Sequence, residues 1–216
     1  MNFEILKECA LFQGISEEEL REMLKCLGAV TGDYEKGECI FRRGERISSV
    51  AVLLEGCVHI QKEDYWGNLS ILSEIVEGEV FGEVYACLGE EMLHSAVAVR
   101  RSRVLFLDVE RVLKVCSETC RFHGRLVRNL LVVMAGKNRG MARKVEHMAQ
   151  RTTREKVLSY LSEQALKAGE EEFVIGFNRQ QLADFLGVER SALSRELGRM
   201  KKEGILEFEG RRFRLR

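Results

Sequence analysis

A chain of 216 residues with 45% hydrophobic and 31% charged side chains holds enough apolar material for one large domain or two small ones. No apolar run approaches the roughly 20 residues of a membrane span, and the N-terminal MNFEILKECALF lacks the basic start and small-residue cleavage site of a secretory signal. The expectation is therefore a cytoplasmic protein with no membrane partner. A net charge of zero conceals two opposed halves: residues 1–122 carry 14 basic against 22 acidic side chains, whereas residues 123–216 carry 20 against 12, the asymmetry expected when only one half meets a polyanion.

In chain order, Ser16 and Glu19 form a predicted capping box opening a short helix with an apolar stripe of Leu20, Met23, Leu24 and Leu27, ended by Gly28. From Ala29 to about Val109 the pattern changes to brief β-rich runs punctuated by Gly: 39–41, 50–54, 58–61, 69–76, 80–81, 96–99 and 104–107. Many short strands at close spacing predict a small barrel or jelly roll of the double-stranded β-helix kind. A helix over 109–115 follows, then a long one over 121–150.

In that long helix Val127, Leu131, Met134, Asn138, Met141, Val145 and Met148 recur at alternating 4,3 spacing, a heptad seam that asks for a second helix. One stripe can also pack on the protein's own roll. The length, the register and the lone Asn138, a residue that fixes register in such seams, favour a homodimer. Thr152 and Glu155 open a new capping box, so a hinge and boundary are expected near 150–151. The domain expectation is a β-roll over 1–120, a dimerisation helix over 121–150 and a third domain over 151–216.

The third domain carries the most specific signal. Asn178 and Gln181 form a capping box for a short helix with Leu182, Ala183, Phe185 and Leu186 on one face; Gly187 releases the chain, and a second helix follows with Ala192, Leu193, Leu197 and Met200 inward. Two short helices joined by a Gly turn make a helix-turn-helix. The outward face of the second carries Arg190, Ser191, Ser194, Arg195, Arg199 and Lys201, donors suited to base edges and phosphates. Next, 205–208 and 212–215 alternate with strand period around a Glu209–Arg211 turn, a hairpin that makes the motif winged. Arg211, Arg212, Arg214 and Arg216 on its return are read as phosphate contacts.

Gly37-Glu38, Phe41-Arg42-Arg43-Gly44-Glu45, Val52-Leu53-Leu54-Glu55-Gly56 and Gly78-Glu79-Val80-Phe81-Gly82-Glu83 resemble the cyclic-nucleotide-binding β-roll. With the helix-turn-helix, the whole order of parts from about Leu11 to Leu215 resembles the CRP/FNR family of bacterial transcription regulators. The resemblance implies an α+β protein: an N-terminal jelly-roll sensor, a long dimer-axis helix and a C-terminal winged helix-turn-helix bound to double-stranded DNA at an inverted repeat, with RNA polymerase as a further partner. It assigns base reading to Arg190, Ser191 and Arg195, with Glu189 and Ser194 beside them, and phosphate anchoring to Arg179, Gln180 and Arg211.

Members that bind cyclic AMP pair a Gly-Glu with a following Arg-Ser/Thr-Ala. Gly82-Glu83 fits the first part, but the second is His94-Ser95-Ala96, so an imidazole stands where a guanidinium would hold the phosphate. That departure argues against cyclic AMP. The expected pocket, lined by Glu83, Tyr85, His94 and Ser95 with Asn138, Met141 and Val145, suits an unidentified small organic effector.

Seven scattered Cys without a C-x-x-C pair indicate neither a disulfide framework nor a zinc ribbon; most are read as buried fillers, with Cys116 and Cys120 one helical turn apart. Cys9 and Cys26 are too far apart for an iron–sulfur cluster, and the four His show no ligand spacing, so no metal site is expected; a haem held by His94 stays open. No nucleophile elbow or P-loop points to an enzyme. The rival reading is a ligand-binding signalling module that acts through a protein partner without reading DNA.

Overall fold

The computed structural model describes residues 3–63, 65–66, 69–113 and 122–216. The chain divides into two compact units, 1–135 and 136–216.

The first unit opens with α1 (Phe3–Glu8), a 3-10 turn (Ala10–Phe12) and α2 (Glu17–Cys26). The α2 capping box forms as expected: the Glu19 N–H donates to Ser16 Oγ at 3.3 Å and the Ser16 N–H to Glu19 Oε2 at 2.9 Å. The roll comprises β1 (Val30–Tyr34), β2 (Cys39–Phe41), β3 (Ser49–Glu55), β4 (Val58–Glu63), β5 (Leu69–Ile75), β6 (Val80–Phe81), β7 (Ser95–Ala98) and β8 (Ser102–Asp108), with α3 (Glu83–Leu88) inserted after β6 and α4 (Val109–Leu113) after β8. The strands form two four-stranded antiparallel sheets, β1-β8-β3-β6 and β2-β7-β4-β5, the jelly roll anticipated above.

Every residue from Val50 to Leu54 is buried, since β3 is covered on both faces, and the core continues through Phe41, Phe81, Ala96, Ala98, Leu105 and Leu107 to the helical residues Leu6, Phe12, Leu20 and Met23. Phe41 meets Phe81 and Phe106 edge-on, each at 5.7 Å between centroids.

Two elements depart from the sequence expectation. β1 and α3 had no strong pattern: β1 holds Gly32 and is mostly exposed, and α3 is six residues long with Gly82 rather than a side chain at its N-cap. α4 is described only to Leu113, so the expected helix end at 115, Cys116 and Cys120 lie outside the described residues.

The long helix α5 (His123–Met148) begins in the first unit and ends in the second. Leu126 and Leu130 join the roll core, each worth about 1.5–3 kcal/mol of burial, with Val133 and Met134 packed against its edge. Asn129 Nδ2 ties the same face down by donating to the Leu11 and Gln13 carbonyls at 3.0 and 2.9 Å. Met134, a seam position by spacing, thus packs against the roll, as the alternative reading of that stripe allowed.

The second unit continues with α6 (Thr153–Ala168), β9 (Glu172–Val174), α7 (Arg179–Leu186), α8 (Arg190–Lys202), β10 (Leu206–Glu209) and β11 (Arg212–Leu215). The strands form one antiparallel sheet, β10-β11-β9. Its core, Val157, Leu161, Phe173, Leu182, Leu186, Leu193, Leu197, Met200, Leu206 and Phe213, is separate from that of the roll. β9 ends at Val174, and beyond it the Ile175 N–H continues the pairing, donating to the Arg211 carbonyl at 3.0 Å.

Candidate functional site

Local chemistry sets the reading head. The Gln181 N–H donates to Asn178 Oδ1 at 2.9 Å and the Asn178 N–H to Gln181 Oε1 at 2.8 Å, fixing where α7 begins. Gly187 ends it at φ +61°, a conformation that favours glycine, and Val188 and Glu189 lead into α8. Leu193, Leu197 and Met200 bury one face of α8, which commits the opposite face to solvent.

On that face Arg190, Ser191, Ser194 and Arg195 are all exposed and have no side-chain partner among the described residues. Glu189, also exposed, stands at the N-cap without capping through its side chain. Further along, Arg199 lies 3.6 Å from Glu196, which also faces Arg154 at 3.5 Å, so this turn is charge-paired within the domain.

The other expected DNA contacts fall into different classes. Gln180 Nε2 donates to Asp184 Oδ1 at 2.8 Å on its own helix. The Arg179 guanidinium is half-buried over the Phe208 ring at 4.8 Å and the Phe213 ring at 5.6 Å, and burial pulls its pKa downward. It ties α7 to the wing.

Of the four wing arginines, Arg212 and Arg214 straddle Glu172 at 3.2 and 2.7 Å and Arg216 meets Glu207 at 2.7 Å. The side chain of Arg211, at the hairpin tip beside Gly210, has no partner among the described residues. Counting arginines along the sequence missed this split, because Glu172 lies on β9, 40 and 42 residues from its partners.

In the roll, Gly82 takes φ +76° where a Cβ would approach the Phe41 ring to 2.8 Å, so glycine is required by both conformation and space. It delivers Glu83 into the interior, 3% exposed. Tyr85 Oη and His94 Nδ1 lie 3.3 Å apart, and Ser95 Oγ accepts from the Arg43 N–H at 3.1 Å. Burial, then the charges of Lys62 and Arg43, hold the His94 pKa below its usual value, so the imidazole is neutral near pH 7. These four expected pocket residues belong to the first unit; Asn138, Met141 and Val145 belong to the second. All three are exposed, as is Leu131, whereas Val127 is half-buried.

Two family models match this chain: a cyclic nucleotide-binding domain over residues 32–119 and a Crp-like helix-turn-helix domain over residues 155–216. The chain belongs to the CRP/FNR family. It is 24% identical over 183 residues to the transcriptional regulatory protein Btr of Bordetella pertussis, covering 84% of this chain and 75% of that one. In fold it is similar to CprK complexed with OCPA (TM-score 0.70, 19% identity, covering 92% of this chain and 91% of the other). It is similar likewise to the c-di-GMP-responsive global regulator CLP of Xanthomonas campestris (TM-score 0.62, 16% identity, 93% and 99%). This is a CRP/FNR-type transcription regulator with a DNA-binding helix-turn-helix. No described helix is long and apolar enough to cross a membrane.

Within this CRP/FNR chain a buried joint that sequence reading missed fixes the end of α5 to the reading head. His147, 4% exposed, lies 2.8 Å from Ser159 Oγ through Nδ1 and 2.8 Å from Glu163 Oε2 through Nε2, while Lys167 and Arg143 approach Glu163 Oε1 at 2.6 and 3.0 Å. Lys167 chiefly, with His147 and Arg143, holds the Glu163 carboxyl below its usual range. Tyr160, its phenol pushed up to about 12 by burial, stacks on Phe177 at 5.9 Å, and Phe177 meets Phe185 of α7 at 4.9 Å. A chain of rings thus links α6 to α7.

The cysteine expectation needs correction, and the histidines have a neighbourhood that spacing did not show: His59 lies 3.2 Å from Glu74 across the sheet, with Cys57, the residue before β4, close to both. Among the described cysteines only Cys9 is buried; Cys39, Cys57 and Cys87 are half-buried and Cys26 is exposed, so the filler reading holds for one of the five. Spacing could not reveal this, because Cys26 ends α2, Cys87 lies on the short α3 and Cys39 and Cys57 sit on or beside short strands, where exposure is set by what packs across each element.

Proposed function

We propose that the protein works as a homodimer that reads an inverted repeat in double-stranded DNA through α8, under the control of a small organic effector held in the roll. The observation that carries the DNA reading is the row Arg190, Ser191, Ser194 and Arg195: exposed, without side-chain partners among the described residues, and fixed opposite a buried helix face. Arg195 is assigned the bidentate contact to guanine and Arg190 and Ser191 the flanking base contacts, with Glu189 and Ser194 at the edge of the contact. Arg211 is the free phosphate anchor, and the N-terminal turn of α7, with Arg179 and Gln180, lies along the backbone.

Dimerisation is supported by the exposure of Leu131, Met141 and Val145, 63–69% in the single chain, at seam positions of a helix whose other stripe is already used by Leu126 and Leu130. In the roll, Glu83, Tyr85, His94 and Ser95 are assigned to the effector. A neutral His94 in place of a guanidinium supports an effector other than cyclic AMP. One structural relative is complexed with OCPA and another responds to c-di-GMP, which supports a ligand-controlled role here. Contact with RNA polymerase belongs to the same proposal.

The test is equilibrium binding to a selected inverted repeat and to a scrambled duplex across a salt series. The expected result is a specific complex of two chains per repeat whose affinity falls steeply with salt; equal, salt-insensitive retention of both duplexes would favour a module that acts without DNA.

A further inference from the structure

We propose that Cys57, His59 and Glu74 form a binding site for a divalent transition-metal ion of the zinc class, on the β4–β5 edge of the roll. Cys57 directly precedes β4 and lies two residues before His59, and the antiparallel register sets Glu74 of β5 directly opposite His59. His59 Nε2 and Glu74 Oε2 are 3.2 Å apart, and one donor atom from each of the three residues lies within 4.8 Å of the others. A tetrahedral ion bound at zinc's usual bond lengths wants its donors about 3.3–3.7 Å apart, within reach of small rotations of these side chains.

The donor set selects the metal. A thiolate, an imidazole and a carboxylate suit zinc and its borderline neighbours; calcium and magnesium, which take oxygen ligands, do not fit a sulfur donor. The backbone that presents Cys57 is held from several directions. Its N–H donates to the Ser102 hydroxyl at 3.2 Å, and that hydroxyl in turn lies 3.3 Å from the Cys57 carbonyl and 2.8 Å from the Arg100 carbonyl. The preceding Gly56 donates to Glu77 Oε1 at 3.0 Å and accepts from Arg100 at 2.9 Å.

A recess walled by Gly56, Val76, Glu77, Val99 and Arg100 opens beside the cluster. The Arg100 guanidinium opposes a cation there, and Glu77, 3.5 Å away, offsets it. The competing explanation is a cross-strand His–Glu pair with a bystander thiol.

On binding, the thiol proton passes to solvent as the sulfur–metal bond forms and the ion sheds coordinated water. β5 is an edge strand paired only with β4, so the ion would staple the sheet edge.

The test is titration of the reduced full-length protein with Co²⁺, followed by displacement with Zn²⁺, for the natural chain and for Cys57→Ser, His59→Gln and Glu74→Gln, with circular dichroism confirming the fold of each. The expected result is one Co²⁺ per chain showing a thiolate-to-cobalt charge-transfer band and tetrahedral d–d bands. Cys57→Ser should abolish the charge-transfer band, and His59→Gln and Glu74→Gln should each weaken binding by more than about tenfold, the loss that even an outer-shell partner causes. Should Cys57→Ser misfold, the two other variants carry the test. No binding, binding without a thiolate band, or a band that survives Cys57→Ser would overturn the site.

Discussion

Two surfaces of the C-terminal domain carry arginines, and they differ in what holds the charge. Along β11, Arg212 and Arg214 share Glu172 and Arg216 is paired with Glu207, whereas on α8 Arg190 and Arg195, beside Ser191 and Ser194, have no side-chain partner among the described residues. The first set is bound up in the wing and ties β11 to its neighbours. The second has no side-chain partner among the described residues, which is the basis for proposing that it meets DNA. Surface pairs such as those of the wing contribute little stability of their own, so the difference between the two sets is that the α8 arginines need break no contact with a described residue to meet a base or phosphate.

The comparison breaks most visibly if the two α8 helices are uncoupled. Leu131→Lys with Met141→Lys puts like charges across the proposed seam and should give monomers by light scattering, with affinity for an inverted repeat reduced by about 10²–10⁴, the avidity of two linked reading heads. A double variant that remains dimeric removes the seam from the account.

Releasing the wing's charge is the next largest effect. Glu172→Gln frees Arg212 and Arg214, so the slope of log affinity against log salt should steepen by up to about 1.8 for all sequences alike, while base preference stays as it was. Arg211→Ala should shift the same slope the other way by about 1. An altered base preference in either variant would mean that the wing reads sequence.

Proton-linked stability gives the smallest effect. The folded roll holds the His94 pKa below the 6.5 of a free imidazole, so as pH falls through 6.5 the unfolded chain takes up a proton that the folded chain refuses. Stability contributed by the neutral ring is complete above that pH and is lost as pH drops toward the folded value. Urea unfolding from pH 8 to 5 should show a shallower decline for His94→Gln than for the natural chain; identical declines would mean that the ring is not held neutral by burial, Lys62 and Arg43.

What was legible in the sequence follows the same division between local and distant partners. The capping boxes at Ser16, Thr152 and Asn178 all form, because each needs only residues three apart. The roll's strands were found where alternation was strong and missed at β1, where Gly32 interrupts it. Contacts set by register stayed hidden: Glu74 is 15 residues from His59, Glu172 is 40 from Arg212, and the His147–Glu163 joint depends on two helices meeting. The free row on α8 was legible as a list of residues, but its lack of partners was not.

The central claim is that the unpaired side chains of α8 read bases. Binding sites selected from a random DNA library with the natural protein should form an inverted repeat with half-site centres roughly 34 Å apart. The same selection with Arg195→Ala should lose about 1–3 kcal/mol of affinity and relax one base pair in each half-site, leaving the others unchanged. A selection that yields no palindrome, or an Arg195→Ala preference identical to that of the natural protein, would contradict the claim.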